Sequence, residues 1–154
     1  MTKVKAICKL DGDKGVKGDI LLELQGDGTC KITGIVEGLK AGKHGFHVHE
    51  FGDFSQGCIS TGGHFNPNLR EHAGPADVDR HVGDLGNIIA EENGQAVVDI
   101  TDSQVTLCGA NSVIGRAIVV HADEDDLGRG KFDDSKTTGH AGARLACGVI
   151  GITK

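Results

Sequence analysis

The chain has 154 residues, a formal net charge of −6, five Phe and no Trp or Tyr. That length suits one domain with an aliphatic core, and the acidic balance argues against a nucleic-acid or anionic-membrane binder. The 25 Gly against two Pro, without a G-X-Y period, predict tight turns and bulges rather than collagen or disorder.

The N-terminal MTKVKAICKL has no long apolar run and no cleavage signature, and no segment reaches membrane-spanning length. A cytoplasmic protein is therefore expected. β-type runs follow at 3–10, 16–24, 30–38 and 43–50, separated by the turn signals DGDKG, QGDG and GLKAG. A long, polar, glycine-rich stretch covers 51–82. Runs at 83–90 and 95–101 come next, joined by ENG, then SQVTLCG (103–109), whose spacing of two allows a further short strand, and a run at 116–121. A second long stretch, 122–143, precedes the last run at 144–152. This spacing predicts an antiparallel all-β sandwich or barrel, a single domain over 1–154 with no helix or linker. Two loops this long in a compact domain are a functional signal. Disordered insertions are the alternative, and the histidines of the first loop count against it.

The five cysteines include no C-x-x-C pair, so a zinc ribbon or thioredoxin-type motif is not expected. An odd count in a cytosolic chain predicts mostly buried thiols. Cys8 reads as buried, Cys30 and Cys108 as partly exposed and oxidisable.

Histidine is concentrated. In FHVHE, strand alternation puts Phe46 and Val48 on one face and His47 and His49 on the other. In RAIVVH, Ile118 and Val120 face in, while Val119 and His121 face out. Three imidazoles can thus meet outside the sheet, roofed by the long loops. One H-x-H is weak evidence alone and is more often structural. The first loop adds His64, His72, His81 and Asp84, an N₃O set suited to tetrahedral zinc. The all-nitrogen group suits copper.

The segments GKHGFHVHEFGD, GGHFNP, RHVGDLGN, IGRAIVVHADEDDLGRG and TGHAGARLACGVIGI resemble copper/zinc superoxide dismutase, in the family's order and over nearly the whole chain, most weakly over 1–40. The resemblance implies an eight-stranded antiparallel Greek-key barrel or sandwich, immunoglobulin-like, with two long functional loops. It implies copper bound by His47, His49, His64 and His121, and zinc bound by His64, His72, His81 and Asp84. His64 is then the bridge, and Asp125 the carboxylate that links His47 to His72. Cys58 and Cys147 match the family's disulfide. The activity implied is dismutation of superoxide to O₂ and hydrogen peroxide by a Cu(II)/Cu(I) cycle, an antioxidant function. Arg144 and His64 are its catalytic residues: Arg144 draws the anion against the net negative charge, and His64 is a proton port. Lys136 would shape the local field and Thr138 the channel mouth.

The family commonly forms a homodimer. By resemblance Phe51, Gly52, Ile114, Gly115, Val149, Gly151 and Ile152 would form the contact, and a copper chaperone is a plausible transient partner. The second loop departs from the family pattern. Phe132 is apolar in a polar loop, Asp133 and Asp134 stand where glutamates are common, and His140 stands where asparagine is usual. A loop hydrogen bond is expected of His140, and a structural one of His44. Two other readings compete. A non-catalytic copper/zinc-binding protein would not need an anion funnel, and a zinc hydrolase would need an open zinc position.

Overall fold

A computed structural model describes residues 3–154. Among the described residues nine strands are present: β1 (Lys5–Asp11), β2 (Lys17–Leu24), β3 (Cys30–Glu37), β4 (Gly42–His49), β5 (Ser55–Cys58), β6 (Asp84–Ala90), β7 (Ala96–Asp102), β8 (Ala117–His121) and β9 (Arg144–Thr153). Eight of them close a barrel in the order β1-β2-β3-β7-β6-β4-β8-β9, every pairing antiparallel. The crossings β3 to β7 and β6 to β4 make the Greek key, and pairing of β9 with β1 leaves no open edge. A 3-10 turn, Ile59–Thr61, follows the short β5.

Strand alternation fills the barrel. Ala6, Cys8 and Leu10 of β1, Ile20 and Leu22 of β2, Ile32 of β3, Phe46 and Val48 of β4, and Ile118 and Val120 of β8 are buried. Phe46 and Phe65 are the aromatic members of an otherwise aliphatic core. Cys30 corrects the sequence reading. It lies on the inward face of β3 with Ile32, is fully buried, and burial pushes its thiol up to about 11. Cys8 is likewise buried, at about 12, and Cys108 is exposed. Residues 103–109 are not a strand. They carry only an isolated bridge from Thr106 to Ser112.

β4 positions the site. All six residues from His44 to His49 are buried, because the long loops cover the face that turns away from the core. Register shifts fall between Gly45 and His47 against β6 and between Val120 and His121 against β9. Such bulges re-aim side chains beside functional sites.

Candidate metal centre

Adjacent β4 and β8 bring His47, His49 and His121 together, since Phe46 pairs with Val120 and His49 with Ala117. The first long loop lies back against β4. Phe65 N–H donates to Val48 O (2.8 Å), Val48 N–H to Gly83 O (3.0 Å), and His49 forms an isolated bridge with His64. That alignment inserts His64 beside the sheet-borne histidines and delivers Asp84, at the start of β6, opposite His47.

Two buried donor sets result. His47, His49, His64 and His121 form one; His64, His72, His81 and Asp84 form the other. In each, one donor atom per residue lies within 4.8 Å of all the rest, close enough to share one ion. His72 and Asp125 also meet His47 in a third cluster.

Hydrogen bonds at the outer ring nitrogens decide where the lone pairs point. A carbonyl oxygen accepts only, so His49 Nδ1 donates to Gly62 O (2.8 Å) and His121 Nδ1 to Gly142 O (3.1 Å). Their Nε2 atoms are left proton-free and face each other at 3.3 Å. His47 Nε2 donates to Asp125 Oδ2 (2.6 Å), leaving Nδ1 bare. That Nδ1 and His64 Nε2 are buried without any hydrogen-bond partner. Buried polar atoms are costly when unpaired; a metal ion in the first set would satisfy both.

The second set converges on one oxygen. Asp84 Oδ1 lies 3.0 Å from His64 Nδ1, 2.8 Å from His72 Nδ1 and 3.1 Å from His81 Nδ1. The other oxygen, Oδ2, accepts from the N–H groups of Ala73 (3.0 Å) and His81 (2.8 Å). His64 Nδ1 and His81 Nδ1 are 3.2 Å apart, about the edge of a tetrahedron with zinc–nitrogen bonds of roughly 2.0–2.1 Å. His64 thus presents Nδ1 to one set and Nε2 to the other.

Asp125 ties the sets together: Oδ2 takes His47, and Oδ1 takes His72 Nε2 (2.7 Å) and Leu127 N–H (2.8 Å). Asn87 clamps its backbone, Nδ2 donating to Asp125 O (2.9 Å) and Oδ1 accepting its N–H (2.7 Å). Gly139, at φ +73°, passes so close that a Cβ there would lie 2.0 Å from Asp125 Oδ1 and 2.5 Å from His72 Nε2. Only glycine fits.

Protonation is opposed at the sheet-borne histidines and favoured at one ligand of the other set, His72. Burial, then the neighbouring imidazoles, hold His47 and His49 well below the usual histidine range. Burial brings His121 down to about 4. Burial also opposes protonation of His72, but its bonds to Asp125 and Asp84 outweigh that and raise it to about 9. Asp84 is held far below the carboxylate range, because the three histidine contacts outweigh its burial.

Arg144, first residue of β9 and paired in register with His121, is half-buried. Its Nη1 donates to Cys58 O (2.8 Å) and to Thr61 Oγ1 (3.0 Å). The Cys58–Cys147 disulfide is formed, across a sequence separation of 89. Lys136 Nζ lies 3.6 Å from Glu71 Oε2, both exposed. Thr138 Oγ1 donates to Asp134 (3.2 Å). His140 binds Asp134 Oδ1 through Nδ1 (2.6 Å) and stacks on Phe132, ring centroids 3.7 Å apart. His44 reaches His121 O (2.8 Å) and Lys40 O (2.7 Å), the structural bonding expected of it.

Sequence reasoning missed Asn87, Thr61, Arg80 and Asp102. Arg80 stands beside His81 in RHVGD, a position that was its only signal.

A family profile described as copper/zinc superoxide dismutase matches residues 16–150. The crystal structure of the clock protein EA4 is similar at 47% identity and a TM-score of 0.95, covering 99% of this chain and 97% of that one.

Proposed function

The chain belongs to the copper/zinc superoxide dismutase family, and from that premise we propose that it dismutates superoxide to O₂ and hydrogen peroxide, an antioxidant activity. His64 carries this reading: one buried imidazole offers Nδ1 to an N₃O set and a partnerless Nε2 to an all-nitrogen set.

In this reading His47, His49, His64 and His121 hold copper, and His64, His72, His81 and Asp84 hold zinc. Copper supplies a one-electron redox couple and zinc a fixed charge without redox change. The chain's own residues supply the rest. Arg144 binds the anionic substrate with a permanently charged fork, held in place by Cys58 O and Thr61 Oγ1. His64 Nε2 is a base at which one of the two protons consumed per turnover can be held, while Nδ1 stays in the zinc set. Asp125 fixes the tautomers of His47 and His72 from both sides. Lys136 and Thr138 contribute to the approach, Lys136 weakly because Glu71 faces it.

We assign a cytoplasmic setting and a homodimer. The family's dimeric habit supports the dimer, together with the exposure of the large apolar side chains Phe51, Val149 and Ile152. A copper chaperone would be a transient partner. No helix among the described residues is long and apolar enough to cross a membrane.

The other reading is a copper/zinc-binding protein without turnover; the similar structure bears the name of a clock protein and not of an enzyme. Superoxide added in large excess to copper- and zinc-loaded chain separates the two. Decay far faster than the spontaneous rate, sustained beyond the copper present, supports the dismutase. Full copper loading, a blue-green colour bleached by reductant, and decay at the spontaneous rate would leave the binding protein.

A further inference from the structure

Arg80 is the largest fully buried side chain of the described residues, 1% exposed, and it stands immediately before His81. Its Nη2 donates to Asp102 Oδ2 (2.7 Å) at the end of β7, itself 3% exposed, and to Val82 O (3.3 Å). Its Nη1 donates to Pro75 O (2.6 Å). The fork therefore grips both ends of the 75–82 segment and fastens them to the barrel. Asp102 Oδ2 is itself fixed, accepting the N–H groups of Gln104 (2.9 Å) and Val105 (2.8 Å).

A buried ion pair is a poor stabiliser, since its desolvation offsets its attraction, and apolar residues of similar volume commonly do as well. Here Arg80 Nε is also left buried and unpaired. The pair's return is geometric. The held segment carries His81, whose N–H donates to Asp84 Oδ2, and Asp84 N–H donates back to His81 O (3.1 Å). Asp102, Arg80, the 81–82 backbone and the Asp84 carboxylate form one path that ends at Oδ2, the partner of the oxygen on which the three histidines converge.

We propose that Arg80 and Asp102 are positioning residues for zinc: they hold His81 and Asp84 in the binding arrangement by fastening the loop to the end of β7. This rests on the zinc assignment above. It gives the loop-borne set the rigid anchor that β4 and β8 give the sheet-borne one.

The test measures zinc and copper affinity by chelator competition on the full chain, native and R80M/D102N. The double variant removes both charges together, so no lone charge is buried, and the amide introduced by D102N keeps an oxygen for the N–H groups of Gln104 and Val105. Zinc affinity should fall about 10- to 100-fold, the range for outer partners of metal ligands, with copper affinity unchanged. Cobalt(II) bound in place of zinc should lose its tetrahedral visible spectrum in the variant. Unchanged zinc affinity, or zinc and copper affinity falling in equal proportion, would overturn the proposal. Should the double variant not fold, R80K carries the test: it keeps the charge but not the planar fork. A several-fold zinc loss is expected there, and native affinity would overturn the proposal equally. Native chain that takes up no zinc would instead overturn the zinc assignment, and the same titration reads that separately.

Discussion

The two histidine sets share His64 and differ in what holds the rest. His47, His49 and His121 stand on paired strands, where register alone fixes their spacing. His72 and His81 ride on a loop, and no strand pairing places them. Tertiary fasteners take its place: Asp84 gathering the three histidines, Asp125 and Gly139 closing over His72, the Arg80–Asp102 pair, and the disulfide. The sheet-borne site is thus built by the fold, whereas the loop-borne site must be assembled upon it. The sets also differ in charge. Burial keeps the sheet-borne imidazoles neutral, while carboxylates flank His72 and favour its protonated form.

This contrast can be broken in four ways. Reducing Cys58–Cys147 frees the first loop from β9. Denaturant titration should show a loss of about 2–5 kcal/mol, and zinc affinity should fall more than copper affinity. Equal losses would mean that the loop-borne site is no more dependent on tertiary ties than the other.

Asp125→Ala removes the carboxylate that orients His47 and His72 at once. Metal competition should show about a 10- to 100-fold loss at both sets. A loss confined to one set would mean that Asp125 does not couple them.

Proton linkage separates the sets further. A ligand must be proton-free to bind. In chain stripped of metal, His72 is raised to about 9, so zinc binding near pH 7 must expel its proton. Zinc affinity should therefore climb about tenfold per pH unit from 7 towards 9 and then level off. His47, His49 and His64 lie below the usual range and His121 lies at about 4, so copper affinity of zinc-free chain should be flat over that span. The same sign governs stability. His72, raised above its ordinary value, contributes most below about pH 6.5 and loses that contribution as pH rises through 9. Calorimetry in buffers of different protonation enthalpy reads the released proton.

Phe132→Ala has the smallest expected effect. It removes an exposed ring stacked on His140, costing about 0.5 kcal/mol or less in thermal or denaturant unfolding. Both metal affinities should be unchanged. A change in either would give this unusual loop pair a role at the centre.

The sheet-borne set was the legible one. Period-two alternation placed His47 and His49 together opposite the core residues Phe46 and Val48, and the same rule placed His121. Periodicity does not reach the loop. There the composition offered an N₃O set, but the sharing of His64, the role of Asp125 and the pairing of Cys58 with Cys147 came only from resemblance to the family. Asp125 shows why: in DEDD it looks like any solvated acid, and its burial depends on Asn87 and Gly139, far away in sequence. Arg80 and Asp102 were missed for the same reason, since a charged pair is buried only by tertiary packing. Cys30 was misread because a residue at the first position of a strand can point either way. The barrel's strand positions followed from turn signals; the short β5 did not, lying in a loop whose hydrogen bonds are tertiary.

The central claim is that a chain of net charge −6 draws superoxide to copper through a local positive field at Arg144. The most direct measurement is the rate of superoxide decay by copper- and zinc-loaded chain at two ionic strengths. Fast catalytic decay that slows as salt rises is predicted, because screening weakens the attraction of Arg144 for the anion. A fully loaded chain that does not speed decay beyond the spontaneous rate, or whose rate does not fall as salt rises, would contradict it.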